Sequence, residues 1–144
     1  MPLRHETTHA GVGSVYERML EKIRYDGAYA TRERAETVTG AVLSALGRQL
    51  TEEDRAELAA CLPPEAARLL VSQTPGPEPL TGWGFVKDLA TRTGGTPATT
   101  RWDTGAVLAT VGGLAGPALL DRILADLAPG YALLFGRAEL VQAA

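Results

Sequence analysis

Two histidines flank a glutamate near the start of the chain, in His5-Glu6-Thr7-Thr8-His9. On a helix this H-E-x-x-H spacing sets two imidazoles one turn apart, where they can bind zinc, and leaves the glutamate as general base of a hydrolase. The surrounding residues do not favour that chemistry. Threonines at both central positions weaken a helix, Gly11 and Gly13 follow at once, and a third ligand has no obvious source. His5 and His9 are weak metal candidates, and zinc hydrolysis is the most remote reading. They are also the only histidines, which excludes chemistry that relies on a core histidine. Cys61 precedes Leu62-Pro63-Pro64 near a helix C-terminus, the end that does not stabilise a thiolate, so it reads as an inert thiol. No serine stands beside a histidine for nucleophilic attack. No G-x-x-x-x-G-K phosphate loop exists, since the lysines are Lys22 and Lys87. Asp103 and Asp121 could make a carboxylate pair, but no spacing argument selects them. No cofactor is expected, and the chain reads as not an enzyme.

The elements that would position any site belong to one ordinary domain of 144 residues, 45% hydrophobic and 22% charged. A chain of this length can bury about two-thirds of its unfolded surface without a metal or disulfide staple. Fourteen basic against seventeen acidic residues give a net charge of −3, which argues against a nucleic-acid partner. The acidic run Glu52-Glu53-Asp54 would likewise repel phosphate. The polar opening predicts no secretory signal. The uncharged stretch Thr104 to Leu120, interrupted by glycines and Pro117, is too short to span a membrane. A cytoplasmic protein is expected.

Self-similarity is the strongest signal. Thr39-Gly40-Ala41-Val42-Leu43 returns as Thr104-Gly105-Ala106-Val107-Leu108, sixty-five positions on. At the same spacing Gly47 returns as Gly112, Leu62 as Leu127 and Pro64 as Pro129. Upstream, Met19, Leu20 and Ile23 match Phe85, Val86 and Leu89 at sixty-six. Each copy reads as four short helices. Ser14 and Glu17 form a capping box for the first and Gly27 stops it; Thr31 and Thr51 cap the next two, and Pro64 begins the fourth. In the second copy Gly94-Gly95 end a helix, Thr96 caps the next, Pro117 starts the third and Pro129-Gly130 punctuate the last. No segment alternates like a strand. The expected fold is all-α: two tandem four-helix repeats packed around an approximate twofold axis. A flexible arm is expected at 1–13, the first repeat at 14–73, a proline-rich linker at 74–81 and the second repeat at 82–138, with 14–138 one compact domain.

The segments Tyr16 to Ile23, Arg34 to Gly47 and Ala59 to Glu65 resemble the bacterial domain of unknown function family 2267. That family has two such halves, each closing on a leucine–proline turn and an apolar pair, here Leu69-Leu70 and Leu134-Phe135. The resemblance covers about residues 14 to 138. The second half departs from the pattern, with fewer charged positions and Ala128 where the first copy has Pro63. The resemblance implies a helical fold and a bacterial, cytoplasmic protein, and it carries no reaction, cofactor or site residue.

Binding candidates are few. Trp102 shares a helix face with Ala106, Ala109 and Gly113, and is either a contact anchor or a cover over a smaller core. Trp83 is expected to pack back as a staple at its helix start. The recurring glycines Gly40, Gly47, Gly105 and Gly112 form a ridge. They predict that helices at about 32–49 and 97–114 cross there, or that a second molecule meets the ridge. The leading functional expectation is a helical interaction or regulatory module that docks an unknown protein or a second copy of itself. The alternative is a small apolar ligand in a pocket between the repeats, lined by Val107, Val111, Leu124 and Trp102.

Overall fold

The computed structural model describes residues 2–76 and 78–137, with side chains from residue 15 onward. Among the described residues the chain is all-helical and contains no strand. The helices are α1 (Pro2–Gly27), α2 (Arg32–Gln49), α3 (Glu52–Ala59), α4 (Pro64–Val71), α5 (Gly82–Thr93), α6 (Pro97–Ala115), α7 (Pro117–Asp126) and α8 (Tyr131–Leu134).

Local chemistry sets most of these ends. The hydroxyls of Thr31, Thr51 and Thr96 accept from the backbone N–H three residues on, at 3.0–3.1 Å. Each satisfies a donor that the first helical turn leaves over. Pro64, Pro97 and Pro117 open α4, α6 and α7, where a missing N–H costs nothing. Thr81 caps α5 in the same way, accepting from Gly84 at 3.0 Å.

The first helix differs from the sequence expectation. It runs back to Pro2, so position 14 is inside it rather than at its cap. Glu17, expected to close the capping box, lies 3.8 Å from Arg32 on α2. At the other end α1 stops through Ala28, not Gly27. Ala28 takes a left-handed conformation (φ 57°), and the N–H of Tyr29 reaches the carbonyl of Arg24 at 2.9 Å. Gly27 is needed because the Tyr29 ring folds over it and would overlap a Cβ. Sixty-six positions on, Gly94 (φ 77°) and the Gly95 N–H bonded to Ala90 repeat this ending. Alanine pays a left-handed penalty that Gly94 avoids. Ala28→Gly is therefore expected to raise stability by about 0.5–1 kcal/mol; an unchanged or lower denaturation midpoint would contradict this account of the α1 end.

The two long helices carry the core. α2 packs on α1, α4, α5 and α6, while α6 packs on α1, α2, α5, α7 and α8. Their buried stripes match in position: Thr39, Val42, Leu43 and Leu46 on α2, and Thr104, Val107, Leu108 and Val111 on α6. The small-residue ridge is not where they meet. A Cβ on Gly40 would touch nothing within 4 Å, and one on Gly105 would meet only the Arg101 side chain of its own helix. Gly40 stands one residue, about a quarter turn, off the buried stripe that begins at Thr39. Gly47 and Gly112 do admit close neighbours, but from other elements. The Leu70 carbonyl would sit 2.3 Å from a Cβ on Gly47, and Leu120 and Phe135 would lie 3.2 and 3.4 Å from one on Gly112. The spacing of sixty-five thus recurs in this contact, Leu70 standing to Gly47 as Phe135 stands to Gly112.

The linker between the halves is anchored to the end of α2. The Gly76 N–H donates to Arg48 O at 2.9 Å, and the Leu80 N–H donates to Gln49 Oε1 at 2.9 Å.

Candidate functional site

A mostly apolar groove of about 760 Å³ lies between α1, the α3–α4 turn and the far end of α6. Helical spacing on α1 puts Val15, Arg18, Met19 and Lys22 along one wall. Ala60, Cys61, Leu62, Pro63 and Pro64 form the opposite wall, and Thr110 and Leu114 come from α6. The second wall is stiff. The N–H groups of Cys61 and Leu62 are used within the turn, on Leu58 and Ala59, and the two prolines that follow have none. Val15 and Leu114 are each 45% exposed, a cost that an apolar pair in water carries unless something covers it. Among the described residues the charged ones lining the groove are Arg18 and Lys22, both basic, in a chain of net negative charge. Lys22 also holds Asp26 one turn along at 2.7 Å. The Cys61 thiol is half-buried and donates to the Glu57 carbonyl at 3.6 Å.

A second, smaller cleft of about 300 Å³ lies between α2 and the α5–α6 junction. Asp103 at its edge accepts from the Tyr29 hydroxyl at 2.6 Å and stands 4.0 Å from Arg34. Burial, and then the Asp103 carboxylate, push the Tyr29 phenol well above its ordinary pKa. These contacts tie the α1–α2 turn and α2 to α6.

The pocket expected from Val107, Val111, Leu124 and Trp102 is not assembled. Val107 and Val111 are fully buried in the core, because their positions on α6 fall on its buried stripe. Leu124 lines a separate recess on α7 and α8 with Asp121, Tyr131 and Arg137. Trp102 is 57% exposed and shares a shallow surface hollow with Asp26, Gly105, Ala106 and Ala109. Its indole N–H donates to Gly27 O at 2.9 Å, satisfying a carbonyl at the end of α1. Trp83 does not pack back as a staple: it is 59% exposed, with the Lys87 ammonium 5.9 Å from its ring centre.

The carboxylates considered from sequence are engaged separately, Asp103 by Tyr29 and Asp121 by Arg137. Asp54 of α3 is buried, one of its carboxyl oxygens lacks a hydrogen-bond partner, and burial, then the charge of Asp126, push its carboxyl above the ordinary range. Sequence reasoning took Asp54 only as an acid favoured by the helix dipole. The side chains of His5, Glu6 and His9 lie outside the described residues. Among the described residues no group of three or more histidine, cysteine, aspartate or glutamate side chains could hold a metal ion, and no helix is long and apolar enough to cross a membrane.

A family profile described as an uncharacterized conserved protein, DUF2267, matches residues 16–134. The chain belongs to this family. The match takes in both halves, from the first buried turns of α1 to the end of α8, and so includes every wall of the groove except Val15. No curated protein matches the chain.

Proposed function

We propose that this DUF2267 chain is a non-catalytic helical interaction module that docks an acidic amphipathic helix of a partner protein in the groove between α1, the α3–α4 turn and α6. The observation that carries this reading is an apolar groove whose charged lining, among the described residues, is Arg18 and Lys22. Apolar walls select an apolar face, and Arg18 and Lys22 select carboxylates beside it. The proline wall offers few amide hydrogens to an incoming main chain. A segment that seats there must satisfy its own backbone, which a helix does and an extended strand does not. The acidic balance of the chain supports a protein rather than a nucleic-acid partner. A cytoplasmic setting fits the single unpaired thiol, and an asparagine-free, arginine-rich composition fits a bacterial source.

A displayed library of helical peptides, selected on the purified chain, tests the reading. We expect enriched peptides with apolar residues at i, i+3 or i+4 and i+7, flanked by aspartate or glutamate. Leu114→Glu, at a solvent-facing position, should weaken them by at least about tenfold. Arg18→Glu with Lys22→Glu should shift the selected charges from acidic to basic, provided the melting transition stays cooperative. Enrichment that survives Leu114→Glu would overturn the proposal. So would a chain that pairs with itself through this groove, detected as a dimer lost in the same variant.

A further inference from the structure

Three threonine hydroxyls converge at the turn between α5 and α6. The oxygens of Thr100, Thr99 and Thr93 lie 3.2, 3.5 and 3.6 Å from the point where a side chain on Gly95 would begin. Thr93 donates to Leu89 O at 3.0 Å, the usual bond of a threonine inside a helix. Thr100 would find the equivalent acceptor at Thr96 O. That oxygen already accepts from the Thr100 N–H at 2.9 Å, and the Thr99 hydroxyl lies 3.2 Å from it. Thr100 is only 4% exposed, and its hydroxyl has no hydrogen bond among the described residues. A buried hydroxyl left in this way is costly unless some other group meets it. Thr93, Gly95, Thr99 and Thr100 all line the cleft of about 300 Å³ between α2 and the α5–α6 junction.

The other walls carry two opposite charges over an apolar floor. Helical spacing puts Arg34, Val38 and Val42 of α2 on the cleft, and Val38, Val42 and Leu89 are buried beneath it. Asp103 follows Thr99 one turn along α6. Its Oδ1 accepts from Tyr29, while its Oδ2 stands 4.0 Å from the Arg34 guanidinium. That separation is too long for a hydrogen bond, so each group can still bond a third one placed in the cleft. We propose that this cleft binds a small aliphatic α-amino acid as its zwitterion: the carboxylate on Arg34, the ammonium on Asp103 Oδ2 and the Thr100 hydroxyl, and the side chain over Val38, Val42 and Leu89.

The charge pattern selects this class. A simple anion would face Asp103, and a simple cation would face Arg34, whereas a zwitterion meets both with the matching sign. A guanidinium offers a carboxylate two parallel donors. The cleft volume is at the lower end for ligand sites, which suits a small molecule. Its walls come from both halves of the chain, α2 from the first and α5 and α6 from the second. It shares no lining residue with the α1–α6 groove, so the two sites stand or fall separately.

Isothermal titration calorimetry of the full chain with L-valine, L-leucine and L-isoleucine tests the proposal. We expect one saturable site, with a Kd below about 1 mM. Isocaproate lacks the amine of leucine and isoamylamine lacks its carboxylate; each should bind at least about tenfold more weakly. Arg34→Gln, at an exposed position, should weaken leucine by a similar factor. Thr100→Val is the sharper variant, because it removes a hydroxyl that no described protein group uses. Its melting temperature should hold or rise while leucine binding weakens about fivefold. The proposal is overturned if none of the three amino acids saturates the chain at about 10 mM. It is equally overturned if either leucine fragment binds as well as leucine, or if either variant keeps the wild-type affinity.

Discussion

Gly47→Ala is expected to destabilise the protein by about 3 kcal/mol, while Gly40→Ala, two turns away on the same helix, is expected to stabilise it by about 1 kcal/mol. Both glycines lie inside α2, and both substitutions remove the same backbone entropy from the unfolded chain. The difference lies in what the new methyl meets. At Gly40 it enters open space. At Gly47 it meets the carbonyl oxygen of Leu70 at 2.3 Å, and that oxygen belongs to the backbone of α4, which cannot rotate away as a side chain would. Either α4 moves off α2 or α2 bends. A shift of α4 would also disturb Arg55, whose guanidinium donates to the carbonyls of both Gly47 and Gln73. Urea denaturation of the two variants side by side settles the matter, because their midpoints should move in opposite directions. Midpoints that move together would mean that α2 is not held against α4 in the way described.

The second large effect is expected at Tyr131. This side chain is fully buried, meets Phe85 edge to face with centroids 5.6 Å apart, and donates from its hydroxyl to Leu80 O at 2.9 Å. It therefore joins α8, α5 and the end of the linker at one point. Tyr131→Phe keeps the ring and strands the Leu80 carbonyl, for a loss of about 1–2 kcal/mol. Tyr131→Ala also opens a cavity, for about 3–5 kcal/mol, and Phe85→Ala should cost a similar amount. The two alanine changes share one ring contact, so the double variant should fall short of additivity by about 0.5–1.5 kcal/mol. A double-mutant cycle that closes with no coupling would deny the contact. The phenol itself stays protonated through the neutral range, since burial raises its pKa.

Helix ends were easy to read because their causes are local. A threonine hydroxyl three residues before a backbone N–H, or a proline at the first helical position, acts within one turn. The ranges around Thr31, Thr51, Thr96 and Pro117 therefore followed from composition and spacing alone. The first helix was the exception: Ser14 offered a plausible cap, and nothing nearby showed that the backbone would continue to Pro2. Facing was harder. Gly40 and Gly47 look alike in sequence, and only the approach of α4 distinguishes them. Trp102 was singled out as large and apolar, yet its indole N–H completes the end of α1, a partner seventy-five residues away. The groove escaped for the same reason. Val15, Leu62 and Leu114 come from three distant segments.

The strap joining the halves has one more implication. Its prolines resist coiling, and its two bonds to Arg48 and Gln49 hold it at the end of α2. The second half is thereby tethered within reach of the first at a high effective concentration. Domain swapping, in which the two ends of the chain exchange between two molecules, would have to release both anchors before gaining anything in return.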